Sequence, residues 1–188
     1  MKLLKISVFA ILLFGLALNS FSQEEEEKPK DKPVRPMWEC GVLIDDQTNY
    51  IPIKNTLEFV IEHRFGTIDN GIEDFYGIYA PSNIRLALNY SVRDNLMVGI
   101  GGTKDRRLLD GQLKWNVLQQ TRQNTVPVAV TLYGNAALNL KKEENIGGDV
   151  TFSNRLSYFS QLIVARKISY RFSVQASGSF SHINLVPK

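Results

Sequence analysis

Two histidines, His63 and His182, one cysteine, Cys40, and many serines are the groups in this sequence with potential for nucleophilic or metal chemistry. A Ser-His-acid triad is defined by geometry around one nucleophile, and nothing in the spacing singles out a serine. A zinc site draws its His, Cys and carboxylate ligands from a cluster, which two isolated histidines do not make. Cys40 beside Glu39 is a lone thiol, and a single cysteine closes no intrachain disulfide. The run Gly99-Ile100-Gly101-Gly102-Thr103-Lys104 has the look of a phosphate loop. A P-loop, however, needs four residues between its first glycine and Gly-Lys, and then a helix. Here the spacing differs and strand-like segments flank the run, so the glycines are expected to be small residues facing a crowded interior. The sequence therefore predicts no enzyme, no cofactor and no metal site.

The side chains that carry functional content are charges set among alternating apolar residues: Glu58, Glu62, Arg64, Arg85, Lys114, Arg155 and Arg171. Placed on strands, all seven are expected on one face, turned toward a common interior. Basic groups outnumber acidic ones in this set. Such an interior either favours anions, as rings of Arg and Lys do in pores, or is a packed ion-pair network filling a small barrel.

The rest of the chain supplies the elements that must position these charges. Residues 1–22 form a short basic start with Lys2 and Lys5, an apolar run over 6–18, and small serines at 20 and 22. That is the form of a secretory signal peptide, and the apolar run is short for a membrane anchor. The leader removes two of the 22 basic side chains and none of the 19 acidic ones, so the remainder is close to charge balance. Balance argues against a nucleic-acid partner, which normally meets a basic surplus. Residues 23–36 (QEEEEKPKDKPVRP) hold almost nothing apolar and are expected to be a disordered linker, because they cannot bury enough surface to offset ordering. Residues 37–188 form the remaining domain. Within it, 37–55 reads equally well as a short strand or as a segment packed at a barrel end.

From Leu57 onward the apolar period is two, the signature of amphipathic strands. Strands are expected over 57–65, 83–92, 96–101, 112–117, 126–132, 156–164 and 168–180, about seven in all. The last is the most regular, with Ile168, Tyr170, Phe172, Val174, Ala176, Gly178 and Phe180 on one face and Ser169, Arg171, Ser173, Gln175, Ser177 and Ser179 on the other. Soluble strands cluster near 5–6 residues, whereas membrane strands need about 9–11. Connections are expected to alternate: long at 66–81, tight at 93–94, longer at 103–109, short at 120–124, long at 140–148, tight at 166–167. Outer-membrane barrels show such a rhythm, with short periplasmic turns and longer outer loops.

The phrases TLEFVIEHRFG, DFYGIYAPSNIRLALNYSVRDNLMVGIG, LKWNVLQQ and FSNRLSYFSQLIVARK resemble those of a family of Bacteroidota outer-membrane-type β-barrel proteins of unknown function. The resemblance runs from about Cys40 to the end. It implies a signal peptide, a barrel and an outer-membrane location, and it implies no activity. Family members that this chain resembles extend further, so the chain is expected to be C-terminally truncated relative to them. The fold class expected is all-β: an antiparallel up-and-down meander forming a transmembrane barrel or its first part. The function expected is that of an outer-membrane protein, either a small-solute pore or a structural surface protein, with the lipid bilayer as partner. The alternative is a soluble periplasmic barrel that binds a lipid or other apolar ligand inside.

Overall fold

The computed structural model describes residues 31–142 and 151–184. The leader at 1–22 and residues 23–30 of the linker lie outside the described residues; residues 31–36 are described, and Pro33 among them bridges to Thr121. From residue 32 onward the chain belongs to one unit, Lys32–Lys188.

A small hairpin of β1 (Val42–Leu43) and β2 (Asp46–Gln47) comes first. Seven long strands then make one sheet: β3 (Leu57–Arg64), β4 (Asn83–Arg93), β5 (Leu96–Thr103), β6 (Leu108–Leu118), β7 (Ala129–Asn139), β8 (Leu156–Lys167) and β9 (Ser173–Ile183). Each pairs antiparallel with the next in sequence, so the sheet is a pure meander. Among the described residues β3 and β9 are its two edges and do not pair with each other.

Register puts like with like. Glu58, Asn89, Gly99, Gln112, Asn135, Phe159 and Ser181 form one continuous row across the seven strands. The adjacent row, on the opposite face, includes Leu57, Tyr90, Val98, Leu113 and Gly134. Alternation therefore divides the sheet into a polar face and an apolar face, as the period of two requires.

Burial runs opposite to that of a soluble sheet. On β4, Ala87, Asn89 and Ser91 are buried while Leu86, Leu88 and Tyr90 are exposed. On β6, Asp110, Gln112, Lys114 and Asn116 are buried while Leu109, Leu113, Trp115 and Val117 are exposed. On β8, Gln161, Ile163 and Ala165 are buried while Leu162 and Val164 are exposed. Polar and small residues dominate the core, joined by Met97, Tyr133 and Ile163, and most of the other large apolar side chains are bare. Soluble proteins rarely leave apolar patches beyond a few hundred Å² uncovered.

The connections depart from the expected rhythm in places. The pair 94–95 is tight, and 65–82 is long, as expected. The connection 104–107 is short, and 119–128 is longer, the reverse of the expected order. The strand expected from 126 begins at Ala129. The strand expected from 168 begins at Ser173. Residues 168–172 are instead a turn, in which the amides of Ile168 and Ser169 both donate to the Phe172 carbonyl (2.9 and 3.1 Å) and the Phe172 amide donates to Ser169 Oγ (3.1 Å). Lys167 pairs with Ser173, an even offset, so the alternation continues in phase through the turn and mimics a strand.

Candidate functional site: a polar face covered by the N-terminal segment

The polar face is built across strands, and its glycines make that possible. Gly99 and Gly101 sit on β5 between polar residues of β4 and β6. Gln112 donates to Asn89 Oδ1 across Gly99. Arg85 reaches Asp110 across Gly101, with Nε–Oδ1 at 3.1 Å and Nη2–Oδ2 at 2.6 Å, a two-point pair. A Cβ at Gly101 would lie 2.7 Å from Arg85 Nη2. The Gly-rich run is thus the floor under two cross-strand bridges. Gly101→Val is expected to cost about 1–3 kcal/mol through overpacking, read as a lowered thermal midpoint in detergent.

Arg85 also pairs with Glu62 Oε1 at 3.0 Å, making a Glu–Arg–Asp triad with side chains only 16 %, 23 % and 5 % exposed for Arg85, Glu62 and Asp110. Asn135 and Tyr133 extend the network, donating to Asp110 Oδ2 (3.0 Å) and Gln112 Oε1 (2.8 Å). Glu58 accepts from Asn89 Nδ2 at 3.1 Å. Buried charges persist when paired and hydrogen-bonded in this way.

Residues 37–52 cover this face. Lys114, with none of its surface exposed, donates from Nζ to the Gly41 carbonyl at 2.9 Å and lies 5.9 Å from the Tyr133 ring centroid. Asn116 donates to the Asn49 carbonyl (3.1 Å) and Gln175 to the Gln47 carbonyl (2.8 Å). Asp46 accepts from Gln161 Nε2 and from Ser177 Oγ, the latter at 2.9 Å. Thr48 is fully buried and donates to the Cys40 carbonyl at 2.5 Å. One short segment is therefore tied to β6, β8 and β9. At the hairpin tip Ile44 has φ 58° and is 92 % exposed, an uncommon conformation for a β-branched residue. A cavity of about 690 Å³ remains between the segment and the sheet, lined by Gly41, Tyr50, Glu58, Glu62, Asn89 and Lys114 among others.

Of the seven charges singled out by alternation, Glu58, Glu62, Arg85 and Lys114 project from strands on the polar face. Arg64 ends β3 and pairs with Asp45 at 2.8 Å, both largely exposed, so it is a rim contact of small energetic weight. Arg155 and Arg171 do not belong with these. Arg155 sits in the 3-10 turn Ser153–Arg155 and donates from Nη1 to the carbonyls of Asn139 (3.2 Å) and Lys141 (2.6 Å), pinning the connection at one end of the sheet. Arg171 is exposed in the 168–172 turn, because the strand starts only after it. Asp110, Asp46 and Tyr133 are members of the network that alternation alone does not find. Asp110 shares the parity of Gln112 and Lys114, and extending that strand back by two residues would reach it. The histidines lie on the apolar face. His63 packs edge-on against Phe65 at 4.6 Å and His182 stacks on Phe180 at 6.4 Å.

No curated protein and no solved structure matches the chain. A family described as a membrane-bound β-barrel domain does, over residues 39–188. Its description agrees with the inverted burial and the meander of long strands, and the match covers both the sheet and the segment laid over its polar face. The chain belongs to this family of membrane-bound β-barrel domains, DUF5777.

Proposed function

We propose that the protein is exported to the outer membrane of a Bacteroidota-type cell, and that it is a non-enzymatic surface barrel whose interior is occupied by its own residues 37–52. The observation that carries this reading is the set of ties from Gly41, Asp46, Gln47 and Asn49 to β6, β8 and β9. They lay backbone and side chain over much of the polar face, where an open pore would hold water. The signal-like leader supports export, and the phrases shared with Bacteroidota barrels support the choice of membrane. The soluble-carrier alternative needs apolar side chains turned inward. Leu86, Leu113 and Leu162 all turn the other way, which counts against it.

Two measurements test the proposal. The full-length protein should sediment with outer membranes and resist carbonate extraction; recovery in the periplasmic fraction would overturn the location. In planar bilayers the native protein should be silent. Asp46→Ala removes the acceptor shared by Gln161 and Ser177 and should introduce intermittent conductance. Steady ion conductance by the native protein would show an open pore and overturn the occluded interior.

A further inference from the structure

At the sheet end that carries the connections 94–95, 119–128 and 168–172, the chain concentrates positive charge. Pro33 bridges to Thr121, the Arg122 amide donates to the Lys32 carbonyl, and the Val34 amide donates to the Gln120 carbonyl, so residues 32–36 run along the 119–128 connection. Gln120 exchanges two hydrogen bonds with the Lys167 backbone, at 3.0 and 2.7 Å, which holds the 168–172 turn beside them. Between these three segments lies a cavity of about 750 Å³ whose lining includes Arg35, Arg122, Arg166 and Lys167 and no carboxylate among the described residues. Arg122 and Lys167 spend donors on the Pro33 and Pro36 carbonyls, at 3.2 Å each. These contacts fix both cations at the cavity wall. Arg35 and Arg166 are exposed.

This cavity adjoins the apolar face directly. Leu162, Val164 and Arg166 succeed one another on the bare side of β8, so the apolar stripe ends in a guanidinium. Ile168, Tyr170 and Phe172 are exposed beside it, Tyr170 at 78 %. An arginine and a tyrosine at the lower edge of a lipid-facing stripe sit where headgroups begin. Guanidinium groups match phosphate oxygens two at a time, and basic pockets at such edges hold acidic lipid headgroups.

We propose that this cavity binds the phosphate-bearing headgroup of an anionic phospholipid, with Arg35 and Arg166 on the phosphate and Ile168 and Tyr170 against the upper acyl chains. The proposal rests on the membrane reading above. Adjacency to the apolar stripe is what selects a lipid over free phosphate, since a soluble anion gains nothing from Ile168, Tyr170 and Phe172.

The test uses the full-length protein in phosphatidylcholine nanodiscs containing spin-labelled phosphatidylglycerol or spin-labelled phosphatidylcholine, read by the fraction of immobilised probe. Phosphatidylglycerol should be held several-fold more strongly. Arg35→Gln with Arg166→Gln should bring that preference down to near parity, since each charge is worth about fivefold. Arg106→Gln with Arg107→Gln, which removes the same charge at the opposite end of the sheet, should leave it unchanged. Equal loss in both double variants would mean diffuse electrostatics and overturn the site. Displacement of the labelled lipid by millimolar inorganic phosphate would also overturn it, in favour of a free-anion site. Protein that enters nanodiscs yet shows no preference refutes the lipid site alone, whereas protein that fails to enter them refutes the membrane reading.

Discussion

Arg85→Met is expected to destabilise the protein by about 3–5 kcal/mol, the range for removing one partner of a buried ion pair. Arg85 is the cation that joins Glu62 and Asp110 in the triad, and Asp110 is the more deeply buried carboxylate. Without the guanidinium, two negative groups face each other across β4 and β5 with little water to screen them. The companion donor on Asp110, Asn135 Nδ2, supplies no charge. The triple variant Arg85→Met, Glu62→Gln, Asp110→Asn should recover most of the loss, because no uncompensated charge then remains. Urea unfolding from vesicles, followed by tryptophan emission, measures all three proteins. A single variant within about 1 kcal/mol of the native protein would mean that the triad is solvated and contributes as an exposed pair would.

Leu162→Arg is expected to cost about 2–4 kcal/mol, the penalty for a cation on the lipid face near the middle of a membrane strand. Leu162 is 48 % exposed in the isolated chain and pairs with Leu132 and Gly178 of the neighbouring strands on the same face. Its sequence neighbour Gln161 is not the mild control that alternation alone would suggest. Gln161 is 4 % exposed and bonded to Asp46, so an arginine there would displace the covering segment. Ser179, exposed on the polar side of β9, is the better comparison, and Ser179→Arg should change stability little. In a Cys40→Ser background, Leu162→Cys should react with a lipid-phase reagent and Ser179→Cys with a water-soluble one. Aqueous labelling at position 162 in intact membranes would refute the assignment of faces.

The sheet is legible in the sequence because a strand that separates lipid from a polar interior must alternate, and alternation can be read one residue at a time. β3, β4, β5 and the central part of β6 come from it directly. Phase without boundaries is also its weakness. The turn at 168–172 keeps the parity of β9, so alternation assigns Arg171 to a strand that has not yet begun. Arg155 is misplaced for the same reason at the start of β8. The covering segment is illegible for a different cause. Residues 37–52 are held largely through their own carbonyls, at Gly41, Gln47 and Asn49, and every residue type offers a carbonyl. The side chains that find them, Lys114, Asn116 and Gln175, are far away in sequence and carry no mark of the partner. Gly99 and Gly101 are readable as small residues, but which bridges they admit depends on the register of three strands at once.

The hydrogen bond from Gln175 to the Gln47 carbonyl spans 128 residues, and Ser177 meets Asp46 across 131. A chain delivered from its N-terminus presents the covering segment first and its last anchors much later. Throughout that interval Asp46 and Gln47 have only β1 to pair with, and closing so long a loop is entropically slow. Assembly of the meander proceeds between neighbours, whereas seating of residues 42–47 waits for β8 and β9. The segment is therefore a late-arriving keystone, and any factor that shields it before insertion would act on the rate of maturation without altering the finished fold.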